Sequence, residues 1–190
     1  NPVLDDAYFE KLKMPVSHEF LNDDHKVILA VGRLTEAKNF CFLIHSFKAL
    51  HDQHADTRLI ILGEGELRSE LEALIAQLNL TDVVDLPGFD SNPYAYFKYA
   101  SLFVLSSNWE GLPGVLIQAL ASKVKVVSTN CPSGPMEILD DAKFGLLVEC
   151  NDQAGLTQAM HQAIFVDYVK FSHVDFEAHI QQFHKQAVQK

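Results

Sequence analysis

The chain has little that would tie it to a membrane, a nucleic acid or a metal. Its 190 residues carry 15 Lys and Arg against 25 Asp and Glu, a formal net charge of −10. A general affinity for polyanions or anionic membrane is therefore not expected, and any phosphate site must be local, built from a few placed cations and backbone donors. Cysteine is sparse: Cys41, Cys131 and Cys150 are odd in number and lack metal-ligand spacing, which points to reduced thiols in a cytoplasmic protein. Cys41 and Cys150 are expected to pack as small hydrophobes. No stretch approaches the length of a membrane span, Asn1-Pro2-Val3 is no signal peptide, and there is no repeat or low-complexity segment. His51-x-x-His54 looks like half a metal site, but nothing completes it at ligand spacing, so it reads as a polar helix end. No Ser-His-Asp set is brought together by the order of elements.

What is present is an ordinary globular composition, with 48% hydrophobic and 21% charged residues, enough for one large domain with a full core. The chain begins without Met, in linker-like sequence, and reads as a piece of something longer. Residues 1–25 are acidic and irregular, with Pro2 and Pro15. From Lys26 onward strand and helix patterns alternate. Strands are expected at Lys26–Val31, Arg58–Leu62, Val83–Leu86, Leu102–Leu105, Val124–Ser128 and Gly145–Val148. Helical spacing covers Asn39–His51, Leu67–Leu78, Pro93–Tyr99, Pro113–Ser122, Pro135–Leu139 and Ala154–Val166, with a tail helix over Phe171–Lys190. Continuous apolar strands separated by helices imply an α/β fold: a doubly wound, Rossmann-like parallel sheet of about six strands with helices on both faces. Its ligand belongs outside the carboxyl ends of the strands, where the polar Gly-containing turns fall.

The stretch Ser106–Leu120 is the most informative. An apolar strand runs into a polar turn, Glu110 precedes Gly111-Leu112-Pro113-Gly114-Val115, and a helix pattern follows. Free N–H groups and the positive dipole end at a helix start attract phosphate, while a carboxylate accepts hydrogen bonds from sugar hydroxyls. A nucleotide-sugar combines both. Between the first strand and helix, Gly32-Arg33 and Lys38 lie on the same edge; Arg33 and Lys38 either clamp a pyrophosphate or merely flank a helix start. Gly63-Glu64-Gly65 permits close backbone approach, with Glu64 shaping the pocket, though such a turn is also common where a strand meets a helix. Gly88-Phe89-Asp90 offers backbone and a ring face to a base, or Phe89 is a packing residue. Cys131–Glu137 leaves room for a sugar, or is a rigid turn with Glu137 at a helix start.

Together these segments resemble the C-terminal, donor-binding domain of retaining glycosyltransferases with the GT-B fold, family 4, of the bacterial capsule, lipopolysaccharide and glycan-assembly type. The matching stretches, in order, are VGRLTEAKN (31–39), LGEGELRSEL (62–71), DLPGFDSNPYAYF (85–97), SLFVLSSNWEGLPGVLIQALAS (101–122), STNCPSGPMEIL (128–139) and FGLLVECND (144–152). The resemblance implies that Arg33 and Lys38 hold the diphosphate of a nucleotide-sugar, a UDP-sugar for preference. Glu110 is then the first acid of a Glu-x₇-Glu signature and binds donor-sugar hydroxyls, and the Gly111–Val115 backbone contacts sugar and phosphate. The second acid, which meets the ribose, is replaced by Gln118, whose amide accepts a ribose O–H without charge assistance.

By the same resemblance residues 26–165 form the donor domain, 1–25 an interdomain linker and 166–190 a tail helix. That tail crosses toward an absent N-terminal acceptor domain, so its stripe of Phe176, Ile180 and Phe183 is expected to be partly exposed or packed against another copy. The implied reaction moves a hexosyl or N-acetylhexosaminyl group to a glycan or lipid-linked acceptor with retention, needs no metal, and leaves this fragment nearly inactive alone. The full-length protein is then cytoplasmic, with peripheral attachment at the inner membrane face open. Two other readings stand beside it: a non-catalytic nucleotide-sugar-binding module, and a UDP-sugar 2-epimerase.

Overall fold

The computed structural model describes residues 3–21, 24–166 and 173–185. Six strands, β1 (Lys26–Val31), β2 (Thr57–Leu62), β3 (Val84–Gly88), β4 (Leu102–Leu105), β5 (Val126–Thr129) and β6 (Leu146–Val148), form one sheet in the order β3-β2-β1-β4-β5-β6. Every neighbouring pair is parallel. The helices are α1 (Asp6–Leu12), α2 (Phe40–His51), α3 (Arg68–Gln77), α4 (Gly114–Ala121), α5 (Pro135–Ile138), α6 (Gln153–Phe165) and α7 (His173–Lys185), with 3-10 turns at Glu19–Leu21, Glu36–Lys38 and Pro93–Tyr96.

Strand periodicity decides which residue serves which face. Val27, Leu29, Ile60, Leu62, Phe103 and Leu105 face a core shared with residues of α1, α4 and α7. Ile28, Ala30, Leu59, Ile61, Leu102 and Val104 alternate with them and face a second core lined by α2, α3 and α6. A strand buried on both faces needs the unbroken apolar runs seen in the sequence, each fully buried Leu, Ile or Phe contributing about 1.5–3 kcal/mol.

Two expectations are corrected. The N-terminal segment is not irregular throughout. Asp5 caps α1, its carboxylate accepting from the Tyr8 N–H at 2.8 Å, and Leu4 and Tyr8 are buried. Further along, His18 Nε2 bonds Asp85 at 2.8 Å while its Nδ1 accepts from the Phe20 N–H at 3.0 Å, fastening the segment to the β3 edge. The tail stripe is neither exposed nor left for a second copy: Phe176, Ile180 and Phe183 are buried in the core of α4 and Phe144. Between them His179 donates to the Ile138 carbonyl at 2.6 Å and stacks on Phe144. The ends of the expected tail helix, 171–172 and 186–190, lie outside the described residues.

Candidate functional site

In the strand order the chain reverses direction between β1 and β4, which opens a crevice at the carboxyl edge between the loops that follow these two strands. Lys38 comes from the first loop and Glu110 from the second. Lys38 Nζ meets Glu110 Oε1 at 2.5 Å, and the same oxygen accepts from the Ser107 hydroxyl at 2.5 Å. The pair is largely dry, with side-chain exposures of 20% and 8%, so each charge depends on the other; removing one leaves an unpaired buried ion.

Backbone and amide bonds lock the two loops together. Ser106 Oγ donates to the Lys38 carbonyl at 2.8 Å and the Asn108 N–H to the Ala37 carbonyl at 2.8 Å. Asn39, in the left-handed conformation at φ 49°, donates from its amide to Asn108 at 3.0 Å and to Asn151 at 2.9 Å. On the other side, the Glu110 N–H donates to the Pro132 carbonyl at 3.0 Å, and Thr129 donates to the Ser107 carbonyl at 2.7 Å. Lys38 and Glu110 therefore sit on a braced platform, which is what positioning chemistry requires. Ser107 and Asn108 lie in the stretch Ser106–Leu120 but carried no role of their own there, and Asn39 and Asn151 had no signal beyond their place in the stretches 31–39 and 144–152.

The remaining expected site residues fall into groups. Arg33 is exposed, takes no ion pair among the described residues, and lines a cleft of about 370 Å³ with Gly32, Gly63, Glu64 and Phe89. Phe89 is 77% exposed, which removes the packing alternative. Glu64 is gripped by Arg68 at 2.6 and 2.8 Å; this bond holds its carboxyl below the usual range. Lys38 runs over Gly32, its Cε 3.1 Å from where a Cβ would stand. Gly65 is not among the residues lining this cleft: a Cβ there would lie 2.4 Å from the Leu34 carbonyl oxygen, so the glycine serves loop packing. Gly88, at φ +97°, accepts from the Gly63 N–H at 2.8 Å.

Gly111 and Leu112 are exposed, Pro113 is buried, and Gly114 and Val115 open α4. Gln118, one turn into α4, donates to the Val3 carbonyl and the Tyr94 hydroxyl, both at 3.3 Å. The Cys131–Glu137 segment packs its Gly134 on Pro113. Its Glu137 faces a separate cavity of about 650 Å³ shared with Asp175 and His179 of α7. Cys131 is buried and Cys41 and Cys150 partly so, with burial pushing all three thiols up. His51 bonds Thr57 and His54 stacks on Phe165. Among the described residues no group of three or more His, Cys, Asp or Glu could hold a metal ion. Nor, among them, is any helix long and apolar enough to cross a membrane.

A doubly wound parallel sheet of this order is a Rossmann-like α/β domain, and it matches the fold of solved GT-B glycosyltransferases. The family model for glycosyl transferases group 1 matches residues 16–165, and the chain belongs to that family. It is 45% identical over 127 residues to an uncharacterized glycosyltransferase of Methanocaldococcus jannaschii, covering 66% of this chain and 31% of that protein. It is 44% identical over 135 residues to N-acetylgalactosamine-N,N'-diacetylbacillosaminyl-diphospho-undecaprenol 4-alpha-N-acetylgalactosaminyltransferase of Campylobacter jejuni subsp. jejuni, covering 71% of this chain and 36% of that one. The chain thus spans about a third of the length of these relatives. The pneumococcal O-GlcNAc transferase GtfA, solved with UDP and GlcNAc, superposes with a TM-score of 0.75 at 17% identity, covering 88% of this chain and 35% of that one, and shares its fold.

Proposed function

We propose that this chain is the nucleotide-sugar-binding half of a retaining glycosyltransferase, with residues 26–165 as its donor domain, residues 1–25 as the interdomain linker and residues 166–190 as its tail. The observation that carries the reading is the Lys38–Glu110 pair across the β1/β4 switch point. A nucleotide-sugar has hydroxyls on one side of its anomeric bond and a diphosphate on the other. An acid and a cation held side by side straddle such a bond: Glu110 takes sugar hydroxyls, and Lys38, with Arg33 from the neighbouring cleft, takes the diphosphate. As the bond breaks, negative charge builds on the leaving diphosphate, and these cations stabilise it where it develops. The Gly111–Val115 backbone at the start of α4 supplies further N–H donors. Gly32, Gly63 and Phe89 line the cleft for the nucleotide, Gly65 and Gly88 hold the loops behind it, and Gln118 accepts from the ribose.

The donor is a UDP-sugar, in keeping with the UDP in the solved pneumococcal enzyme, and the group moved is hexosyl or N-acetylhexosaminyl. The acceptor is a glycan or lipid-linked glycan, the chemistry named for the Campylobacter relative, presented by a preceding domain. No metal is required. The whole protein works in the cytoplasm, with its acceptor at the inner membrane face, and this chain alone binds donor weakly and transfers little. Calorimetry with UDP tests the reading. Binding by the 190-residue chain, weakened about tenfold or more in Arg33→Ala and in Lys38→Ala, is expected. Saturable UDP binding that ignores both changes would sink the assignment. A longer protein that releases free epimerised sugar without acceptor would instead favour the epimerase.

A further inference from the structure

Position 118 has an occupant on its protein side. Val3 lies over the first turn of α4, its Cγ1 3.7 Å from where a Cβ on Gly114 would stand, and its carbonyl accepts from Gln118 Nε2 at 3.3 Å. The same nitrogen donates to the Tyr94 hydroxyl at 3.3 Å. Tyr8, 3% exposed, donates its hydroxyl to the Gln118 main-chain carbonyl at 2.6 Å and packs edge-on against Tyr94 at 5.3 Å. The arm continues across the sheet edge, where Asn92 donates to the Lys11 carbonyl at 2.9 Å and Lys98 to those of Lys13 and Met14.

We infer that Gln118 is the docking clamp for the N-terminal arm, and that this second duty is why the position carries an amide and not an acid. A carboxylate has no N–H. Placed here it would set an anionic acceptor against the Val3 carbonyl oxygen, two acceptors with no proton between them. Tyr94 does not discriminate, because its hydroxyl donates to a carboxylate as readily as it accepts from an amide. The Val3 carbonyl does. With the nitrogen so engaged, the amide oxygen, which takes no hydrogen bond among the described residues, is the half left for a ribose hydroxyl; this last clause rests on the donor reading above. One side chain then joins the linker-like arm to the nucleotide site, so a change at either end is felt at the other.

Hydrogen exchange by mass spectrometry on the ligand-free 190-residue chain tests the clamp without any donor. Gln118→Glu is expected to speed exchange in the arm, residues 4–12, about tenfold, with α2 and α6 peptides unchanged. Gln118→Met, which keeps length but has no donor, is expected to act in the same direction, and it decides the matter if the acid variant unfolds generally. Tyr8→Phe, which removes a separate bond to the same residue, calibrates the response. Arm exchange at the wild-type rate in both Gln118 variants overturns the inference. A failure of the chain to bind UDP would count against the donor reading and leave the arm result standing.

Discussion

A methyl group at position 63 would lie 1.8 Å from the Gly32 carbonyl oxygen, on a residue held at φ +145°. At position 111 it would meet nothing within 4 Å. Both glycines belong to the expected site, yet only the first is demanded by the fold. Gly63→Ala must push the β2 loop off the β1 loop or abandon its backbone conformation, a cost of about 2–4 kcal/mol. Gly111→Ala is expected to leave thermal stability within about 0.5 kcal/mol of the parent. Thermal melts of the two variants check this; equal losses would mean that loop 110–114 is packed more tightly than its exposure indicates. The pair also shows what could be read from residues alone. Glycine at a strand end is visible in the sequence, whereas whether it admits a ligand or another backbone depends on a neighbour about thirty residues away that only the β1–β2 pairing brings close.

At the scale of elements, β1 and β4 fall where the apolar runs place them, because VILAV (27–31) is bounded by Lys26 and Gly32 and LFVL (102–105) by two serines. Helix α1 escaped notice, since its seven residues, DAYFEKL, mix acids with two adjacent aromatics and show no clear face. Its cap, Asp5, was present but sits in a run of acids. The stripe of α7 was legible but not its target, Phe144, which the chain supplies from a loop. The α2 end that looked like half a metal site gives a pH prediction instead. Thr57 donates its hydroxyl to the His54 carbonyl at 2.7 Å and so accepts from His51 Nδ1–H at 3.1 Å. His51 is also stacked on Phe47, and burial, then the nearby Arg58 charge, lower its pKa below the ordinary 6.5. A histidine lowered on folding favours the native state above the unfolded value, and that stability is lost as pH falls from 6.5 toward the folded value. Between about pH 7.5 and about pH 5.5 the melting temperature of His51→Gln is therefore expected to fall less than that of the parent. Parallel curves would place the acid sensitivity on other groups.

For the molecule as a whole, charge and site pull in opposite directions. The chain carries a formal −10, so its far field repels a nucleotide diphosphate. In the proposed site the attraction is left to Arg33, Lys38 and backbone donors, with Lys38 only 20% exposed and already paired to Glu110. Salt screens the two unequally. The screening length shrinks from about 30 Å at 0.01 M to about 10 Å at 0.1 M, which removes the distant repulsion first and leaves the contact terms largely intact. Raising salt over that range is expected to speed UDP association, while the dissociation constant changes by no more than about threefold. A protein that gathered phosphate with a broad basic surface would behave in the opposite sense, losing both association rate and affinity as salt rises. Stopped-flow association and calorimetry across the series separate the two. A steep loss of affinity would move the phosphate contact away from the β1/β4 crevice to exposed cations, and with it the assignment of Lys38 and Glu110 to opposite sides of the sugar–phosphate bond.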